Sequence, residues 1–338
     1  MLTVIELFSG IGAPRKALIN LGIDHIVEGI SEIDKWALKS YESIYGPTKN
    51  YGDISKISEL NYADLWTYGF PCQDISIAGN KLGIIENVTR SGLLYHVKRL
   101  LDISYRKNQL PKYLLMENVK NLLSYKFIKD FNNWCKYLES IGYTNYYQVL
   151  NAKDYGIPQN RERVILVSVR NDIHKNFEFP IKQKLKLKLG DILEQEVAEN
   201  FYLTDIQIKK LLITTFRNSS YSGRVSNPNS ICGTLLARDH CGPKCIEISI
   251  IDDCYNSRDV RIFNKISPTL RANRQGLKVL ENKVIRKLTP LEYWRLMGFS
   301  DDDFNKAKSV CSNTQLYKQA GNSIVVNVLE AVFRKLLL

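Results

Sequence analysis

The chain has 338 residues, of which 44% are hydrophobic, and it carries a formal net charge of +12 at pH 7. This size suits one large domain with a smaller one, and the seven scattered cysteines favour a reduced, cytoplasmic protein over a disulfide framework. We expect no membrane association, because no apolar run approaches the roughly 20 residues that span a bilayer and the first residues show no secretory signal pattern.

Short apolar runs alternate with helical patterns over the first 170 residues. The runs at 2–8, 25–30, 63–68, 112–116 and 163–169 predict buried strands. Helices are predicted to follow the first turn through 15–18, and at 34–45 and 127–141. Continuous apolar strands between helices indicate an α/β fold with a doubly wound, mostly parallel, Rossmann-like sheet that is covered on both faces.

The pattern changes from about residue 171. Residues 182–189 alternate lysine with apolar residues or glutamine, which we interpret as a half-exposed strand or linker. Short runs broken by Gly, Pro, Asn and Ser then predict a smaller, irregular, β-rich domain. A helix is expected at 289–297, with Thr289 as its N-cap, Pro290 in its first turn and Gly298 at its end. A final helix is expected at 323–337, opened by the segment 319–323.

Positive charge is concentrated in the irregular region. Residues 175–287 contain 20 Lys and Arg against 12 Asp and Glu, an excess of +8 out of +12. A basic region of this kind suits a polyanionic partner, although a solubility surface explains the charge equally well.

A glycine turn follows the first predicted strand. Gly10 and Gly12 would let the backbone approach a ligand at a helix N-terminus, and Glu32, 20 residues after Gly12, could accept hydrogen bonds from ribose hydroxyls. Asp53 could accept from an adenine amino group, or it could cap a turn. These residues predict a nucleoside cofactor without separating a nicotinamide from S-adenosylmethionine.

Reactive side chains follow the later strands. Cys72 lies on a proline-stiffened loop after the strand at 63–68, where an α/β enzyme keeps its reactive groups, although most lone cysteines are structural. Glu117 ends another strand and could act as an acid if burial raises its pKa. Arg161 and Arg163 precede a buried strand and could hold a planar polar ligand, or form surface ion pairs.

Together these segments resemble the bacterial and phage DNA cytosine-5 methyltransferase family. The resemblance rests on Glu6-Leu7-Phe8-Ser9-Gly10-Ile11-Gly12, Gly69-Phe70-Pro71-Cys72-Gln73, Thr89-Arg90-Ser91-Gly92-Leu93-Leu94, Met116-Glu117-Asn118-Val119, Gln159-Asn160-Arg161-Glu162-Arg163, Arg286-Lys287-Leu288-Thr289-Pro290 and Gly321-Asn322-Ser323. It spans the chain except for 171–283, where the family keeps its variable target-recognition domain. It therefore implies a catalytic domain at 1–174, a target-recognition domain at 175–284 and a returning segment at 285–338.

The resemblance implies a covalent mechanism on a flipped cytosine of duplex DNA. Cys72 would add to carbon 6, Glu117 would donate a proton toward ring nitrogen 3, and Arg163 would hold the base carbonyl, with Arg161 positioning the loop. Carbon 5 would then take the methyl group of S-adenosylmethionine, and loss of its proton would release Cys72.

Further roles are carried over by the same resemblance. The cofactor residues are Phe8, Ser9, Gly10, Ile11, Gly12, Glu32, Ile33, Asp53, Ile54, Leu94, Asn322 and Ser323. Ile33 departs from the family, because many relatives have an aromatic residue there. Phe8 could instead be core packing. The DNA contacts are Gln73, Ser76, Arg90, Arg238, Thr269, Leu270, Arg271 and Arg274, of which Thr269-Leu270 is favoured over a similar segment at 232–236 as the recognition pair.

Other functions are weaker hypotheses. The cysteines at 232, 241, 245 and 254 lack the paired spacing of most zinc sites, and no metal is expected. None of the four histidines lies in a motif that points to Cys72, which disfavours a Cys/His hydrolase. A transfer RNA substrate, or a DNA-binding protein without turnover, would keep the fold. We further expect a monomer that acts separately from any cognate restriction endonuclease.

Overall fold

The computed structural model describes residues 1–71, 90–204, 206–208, 225–248 and 284–338. A six-stranded sheet forms its centre. The strands, with a short additional strand β6, are β1 (Leu2–Leu7), β2 (His25–Ser31), β3 (Leu65–Tyr68), β4 (Tyr113–Val119), β5 (Tyr143–Asn151), β6 (Gln159–Asn160) and β7 (Glu162–Arg170). The order across the sheet is β2-β1-β3-β4-β7-β5.

The sheet is mostly parallel, as the sequence predicted. Strands β1, β2, β3 and β4 pair in parallel, whereas β7 runs antiparallel to both β4 and β5. The carboxyl ends of β1 to β5 and the start of β7 therefore meet at one edge. We call this the carboxyl edge of the sheet, and it is where open α/β folds bind their ligands.

Helices cover both faces of the sheet. They are α1 (Ala13–Asn20), α2 (Lys35–Tyr45), α3 (Leu94–Arg106), α4 (Ile128–Ser140), α5 (Pro290–Arg295), α6 (Asp301–Lys308), α7 (Asn313–Asn322) and α8 (Val326–Leu337). Alternate strand residues enter two separate cores: Leu65 and Leu115 pack with α1 and α5–α8, whereas Trp66 and Leu114 pack with α3 and α4. This two-sided burial explains why the strands read as continuous apolar runs.

Local capping sets several helix boundaries. The Asp34 carboxylate accepts from the backbone N–H of Trp36 at 2.9 Å and begins α2. Thr289 and Glu292 form a reciprocal capping box that begins α5, as the Thr289-Pro290 pair predicted. These caps satisfy backbone donors that have no partner within the helix.

The prediction that residues 319–323 open the final helix is wrong. Gly321 and Asn322 end α7, and Ser323 is its C-cap with extended backbone angles (φ −71°, ψ 161°). The last helix begins only at Val326. The carbonyls of Gly321 and Ser323 accept hydrogen bonds from a distant arginine, Arg161, which helps the chain to leave the helix there.

Short strands make up the described part of the irregular region. They are β8 (Val225–Ser226), β9 (Cys232–Gly233), β10 (Cys245–Ile248) and β11 (Val284–Lys287). Strands β11, β10 and β8 form a small sheet, and β9 pairs with β6. Cys232, Leu235 and Ile246 share a core with the helices after residue 290. The domain boundaries at 174 and 284 stay predictions.

A buried ion pair joins β11 to α5. Arg286 is bidentate to Glu292, at 2.8 and 2.6 Å, and both side chains are almost fully buried. The Glu292 carboxylate also accepts from the N–H groups of Glu194 and Thr289. The added hydrogen bonds compensate part of the cost of burying two charges.

The described helices include none whose length and apolarity would let it cross a membrane.

Candidate active site

Several of the predicted site residues lie at the carboxyl edge of the sheet. Residues 8–12 follow β1, Glu32 follows β2, and Gly69 follows β3. Glu117 lies near the end of β4, and Arg163 lies near the start of β7, where it pairs with Val119. The fold thus brings together residues that are as far apart as 155 positions in the chain.

The glycine turn after β1 depends on left-handed backbone. Phe8, Gly10 and Gly12 have φ angles of 57°, 55° and 73°. A Cβ added to Gly12 would lie 2.6 Å from ring carbons of both Tyr41 and Tyr45, so a side chain would not fit there. A Cβ at Gly10 would meet nothing within 4 Å, so this glycine borders open space. The turn therefore brings its backbone close to the open space beside Gly10, where a ligand can approach.

Glu32 is tied to this turn by main-chain hydrogen bonds. Its Oε2 accepts from the N–H of Gly10 at 2.8 Å, and its Oε1 accepts from Ile33 and Asp34 at 2.8 and 2.7 Å. Burial raises the pKa of the Glu32 carboxyl, and the backbone donors offset part of that rise. A carboxylate offers about four acceptor positions, so three donors leave little capacity for a further partner.

A buried carboxylate under the turn was not predicted as a site residue. Glu6 is fully buried in β1, accepts from Tyr41 Oη at 2.5 Å, and accepts from the N–H of Arg15 at 3.0 Å. Burial raises the pKa of Glu6 to about 6, against the lowering effect of these donors. Glu6 therefore caps α1 from the neighbouring strand, where its own N-cap, Gly12, has no side chain to offer.

Asp53 is the N-cap of a short 3-10 helix that begins at Ile54. The Asp53 carboxylate accepts from the N–H and hydroxyl of Ser55 at 2.9 and 2.8 Å. The backbone bond from Ser55, followed by its hydroxyl bond, lowers the pKa of Asp53. Asp53 is thus a cap in the observed structure, which is one of the two roles considered from the sequence. The Ile54 carbonyl accepts from Arg99 Nη2 at 3.0 Å, which joins the segment to α3.

The remaining predicted cofactor residues differ in exposure. Ile33 is 75% exposed, Phe8 is half-buried and Asn322 is exposed, whereas Ile11, Leu94 and Ser323 are buried. Ser9 Oγ is buried and has no hydrogen-bond partner among the described residues. An apolar side chain left in solvent and an unpaired buried hydroxyl beside a glycine turn fit a bound adenosyl cofactor.

Glu117 and Arg163 form an ion pair at the end of the sheet. Arg163 Nε lies 3.0 Å from Glu117 Oε1, and the two side chains are only 16% and 12% exposed. Oε1 nevertheless accepts no well-directed hydrogen bond from the described residues. A Cβ added to Gly69 would lie 3.5 Å from Glu117 Oε2. The backbone that leads to Pro71 thus passes directly beside this carboxyl.

The strand β4 also holds the backbone before the predicted nucleophile. Asn118 Nδ2 donates to the Phe70 carbonyl at 3.1 Å, and the Phe70 side chain is buried. Asn118 was not predicted as a site residue, although it lies between the two ends of the Met116–Val119 motif. Cys72, Gln73 and Ser76 lie outside the described residues, as does the side chain of Arg90.

Gln159, in β6, and Arg161, directly before β7, bind segments that are distant in the chain. The Arg161 guanidinium is buried and donates to the carbonyls of Leu235, Gly321 and Ser323 at 2.8, 3.2 and 2.7 Å. Gln159 donates to the Leu296 carbonyl and accepts from the Leu235 N–H. Arg161 points away from solvent, so the geometry gives it a positioning role. Gln159 was part of the recognised motif but was assigned no role.

Gly321 allows the closest approach at this junction. A Cβ there would lie 2.3 Å from the Ala237 nitrogen and 2.3 Å from the Leu236 carbonyl carbon. Helix α7 therefore packs directly on the backbone of residues 236–237. This contact places the exposed Asn322 next to the segment that carries the exposed Arg238.

Most of the predicted recognition residues lie outside the described residues, namely Thr269, Leu270, Arg271 and Arg274. Cys254 lies outside them as well. Cys232 and Cys245 are buried, Cys241 is exposed, and burial raises the pKa of the Cys232 thiol to about 12. No three His, Cys, Asp or Glu side chains within the described ranges are grouped closely enough to hold a metal ion.

A mostly parallel α/β sheet with a glycine turn after β1, a carboxylate after β2 and an antiparallel strand beside β4 is consistent with the class of S-adenosylmethionine-dependent methyltransferases. A family model for the C-5 cytosine-specific DNA methylases matches residues 2–337. The chain therefore belongs to the C-5 cytosine-specific DNA methylase family and is a DNA cytosine-5 methyltransferase.

Characterised relatives agree with this assignment. The chain is 36% identical to Type II methyltransferase M2.ScrFI of Lactococcus lactis subsp. cremoris, over 99% of both chains. It is 31% identical to Orphan methyltransferase M.SPBetaI of Bacillus phage SPbeta, over 99% of this chain and 97% of the relative. Among solved structures, S. pombe Dnmt2 methyltransferase has a TM-score of 0.70 at 22% identity, with full coverage of both chains. That last similarity supports the fold alone.

Proposed function

We propose that this methyltransferase transfers a methyl group from S-adenosylmethionine to carbon 5 of a flipped cytosine in duplex DNA, through a covalent bond between Cys72 and carbon 6. The Glu117–Arg163 pair beside Gly69 is the observation that carries the proposal. It supplies an acid and a cation next to the backbone that leads to the only cysteine in a Pro-Cys-Gln motif.

Cys72 is the nucleophile in this mechanism. Its thiolate adds to carbon 6 of cytosine, and the electron pair of the broken ring double bond makes carbon 5 nucleophilic. When bound, S-adenosylmethionine supplies the methyl group as an electrophile. Loss of the proton from carbon 5 then restores the double bond and releases the Cys72 thiolate.

Glu117 and Arg163 stabilise the charge that develops on the base. Protonated Glu117 donates toward ring nitrogen 3, where electron density accumulates as the thiolate adds. Arg163, which lies against Glu117 in the described structure, donates to the base carbonyl. Because Glu117 Oε1 has no well-directed partner here, the carboxyl group can turn to the base without breaking a network.

The predicted cofactor residues serve one site in this proposal. The turn at residues 8–12 receives the cofactor, Ser9 Oγ gains the partner that it lacks, and Ile33 packs on the adenine. Glu32 accepts from the ribose, exchanging its bond to the Gly10 N–H as it does so. Asp53, Ile54, Leu94, Asn322 and Ser323 complete the site.

Duplex DNA is the proposed substrate. Gln73, Ser76 and Arg90 would contact it beside the flipped base, and Arg238, Thr269, Leu270, Arg271 and Arg274 would contact it from the recognition region. We further propose a cytoplasmic monomer. The characterised relatives include type II methyltransferases, so a separate restriction endonuclease is compatible with the proposal, and they also include orphan phage methyltransferases.

The proposal is tested by methyl transfer from labelled S-adenosylmethionine to duplex DNA. We expect wild-type protein to produce 5-methylcytosine, and Cys72→Ala to produce none while it still binds the cofactor. Cys311→Ala, which removes a half-buried cysteine elsewhere, is the matched control and should stay active. Undiminished transfer by Cys72→Ala would refute the covalent mechanism.

RNA is the second substrate to be tested in the same assay. The family model that matches the chain is that of the C-5 cytosine-specific DNA methylases, which favours DNA. Transfer RNA and duplex DNA should therefore be offered in competition. Methylation that persists on DNA and is absent from RNA supports the proposal, and the opposite result would contradict it.

A further inference from the structure

Four lysines stand close together on an exposed connection. Lys182, Lys184, Lys186 and Lys188 alternate with Gln183, Leu185 and Leu187 in a segment that forms neither helix nor strand. All four lysines are exposed, and the segment contains no acidic residue. We call residues 182–188 the lysine strap.

The first end of the strap is held at the carboxyl edge of the sheet. The N–H of Gln183 donates to the Asp154 carbonyl at 2.9 Å, and Lys182 Nζ lies 3.5 Å from the Asp154 carboxylate. Asp154 lies on the 3-10 helix that directly follows β5. Since β5 ends at the same edge as β4, this end of the strap lies at the edge where Glu117 is placed.

The second end of the strap is held by the irregular region. Immediately after the strap, the N–H of Leu189 donates to the Ser230 carbonyl, and that of Gly190 donates to the Pro228 carbonyl, at 2.9 and 2.7 Å. Lys188 Nζ lies 3.5 Å from Asn229 Oδ1. The strap therefore runs between the carboxyl edge of the sheet and the region predicted to recognise DNA.

The central lysines are not neutralised within the part of the chain that the structure describes. Lys182 has a partner in Asp154 and Lys188 has one in Asn229, but Lys184 and Lys186 form no ion pair with described residues. Lys184 and Lys186, together with Lys188, whose partner is a neutral amide, carry positive charge that no described acidic residue compensates, on a backbone anchored at both ends. The partner that fits such a segment is a polyanion with regularly spaced charges.

We propose that the lysine strap binds the phosphate backbone of the substrate DNA beside the methylated base. The inference rests on the proposed function, because it takes duplex DNA as the substrate. The strap lies between the carboxyl edge of the sheet and the predicted recognition region, so DNA that spans both would pass over the strap. Lysine ammonium groups bind phosphates as point charges and carry no base information, so the strap contributes affinity without sequence preference.

The test compares two variants with the same net charge. K184Q/K186Q/K188Q removes charge from the strap and keeps the Lys182 anchor. K136Q/K308Q/K335Q removes three exposed lysines from α4, α6 and α8. Both change the formal net charge from +12 to +9. DNA affinity is measured over a range of salt concentrations, for duplexes that contain and lack the methylation site, together with cofactor affinity and unfolding temperature.

We expect the strap variant to weaken binding to both duplexes by about tenfold or more at low salt, and to reduce the slope of log affinity against log salt by about 2 to 3, since each phosphate contact contributes roughly 0.9. The dispersed variant should change affinity by less than about threefold. Cofactor affinity and unfolding temperature should stay unchanged in both.

Equal slopes for the two variants would overturn the inference, as would a loss confined to the duplex with the methylation site. The proposed function fails separately, if wild-type protein makes no 5-methylcytosine in the same DNA. The binding measurement still decides the role of the strap in that case.

Discussion

The proposed cofactor side and the proposed base side of the candidate active site are built differently. On the cofactor side, Glu32 accepts three main-chain N–H groups and Glu6 caps the first helix from within the sheet. On the base side, Glu117 has a buried oxygen without a well-directed hydrogen bond and is held mainly by its ion pair with Arg163. The carboxylates on the proposed cofactor side are fixed by hydrogen bonds within the fold. The carboxyl of Glu117 on the proposed base side keeps an oxygen that can bind a substrate.

This difference matches the role that we propose for each side. A turn that binds a cofactor gains from a fixed backbone, because fewer groups must be ordered on binding. A carboxyl that transfers a proton must change partners during the reaction, so a saturated hydrogen-bond network would hinder it. We therefore expect substitutions on the base side to reduce turnover, and substitutions in the supporting network to reduce stability.

The largest effect is expected at Glu117. Glu117→Gln keeps the size of the side chain but cannot supply a proton, so kcat should fall about 10²–10⁴-fold with little change in unfolding temperature. Glu162→Gln is the matched control, because Glu162 is exposed at the same edge and pairs only weakly with Lys120. Steady-state methylation assays give both values. If Glu117→Gln keeps more than half of the wild-type kcat, Glu117 is not the proton donor in the mechanism.

Two arginines that are two residues apart should respond in opposite ways. Arg161→Met leaves three carbonyls without their donor, and the free energy of unfolding should fall by about 2–5 kcal/mol. Arg163→Met should instead cost activity, and it should lower that free energy by less than Arg161→Met does, because Arg163 has one ion-pair partner and Arg161 has three carbonyl partners. Urea unfolding and methylation assays on both variants separate the roles. If Arg161→Met is stable and inactive, our assignment of a positioning role is wrong.

Gly321 tests the contact between α7 and the segment at Leu236 and Ala237. Gly321→Ala places a Cβ 2.3 Å from backbone atoms of Leu236 and Ala237, so the two segments must separate, at a cost of about 1–3 kcal/mol. Gly242→Ala is the control, because its Cβ would meet nothing within 4 Å and its φ is −172°. Thermal unfolding checks both. Equal stability of the two variants would mean that the segments do not pack as described.

The smallest effect is expected for Glu6, as a change with pH. Because burial raises the pKa of Glu6 from 4.5 to about 6, the folded state holds this proton more tightly than the unfolded state. Stability from this group is therefore fully present below pH 4.5 and is lost as pH rises through 6, by about 2 kcal/mol in total.

Glu6→Gln should abolish that loss, whereas Glu42→Gln, at an exposed position on α2, should keep it. The measurement is the free energy of unfolding at pH 4.5, 5.5 and 7. An identical pH dependence in wild type and Glu6→Gln would show that Glu6 titrates normally in the folded protein.

Sequence patterns predicted the elements of the sheet well because their apolar runs are long and buried on two sides. The strands at 2–8, 25–30 and 163–169 appear as β1, β2 and β7 within two residues at either end. The antiparallel direction of β7 was not predicted, since a buried strand has the same apolar pattern in either direction.

The sequence pointed to site residues where a short motif contains them. It did not reveal contacts that depend on distant segments of the chain. Glu117 and Arg163 were predicted from two motifs to act on the same base, and the structure describes them as an ion pair. Their roles on the base stay predictions. The structural use of Arg161 could not be read from the sequence, because its three partners lie 74 or more residues away. Glu6 was missed because its partners, Tyr41 and Arg15, come from helices that only the fold brings over β1.

The central claim is a covalent bond between Cys72 and a cytosine, and it can be measured directly. Duplex DNA containing 5-fluorocytosine should trap the bond, because fluorine at carbon 5 cannot leave as the proton does. After denaturation and proteolysis, mass spectrometry should find the nucleotide attached to the peptide that contains Cys72, and only when S-adenosylmethionine was present. An adduct on another cysteine, or no adduct from an enzyme that methylates ordinary DNA, would contradict the account.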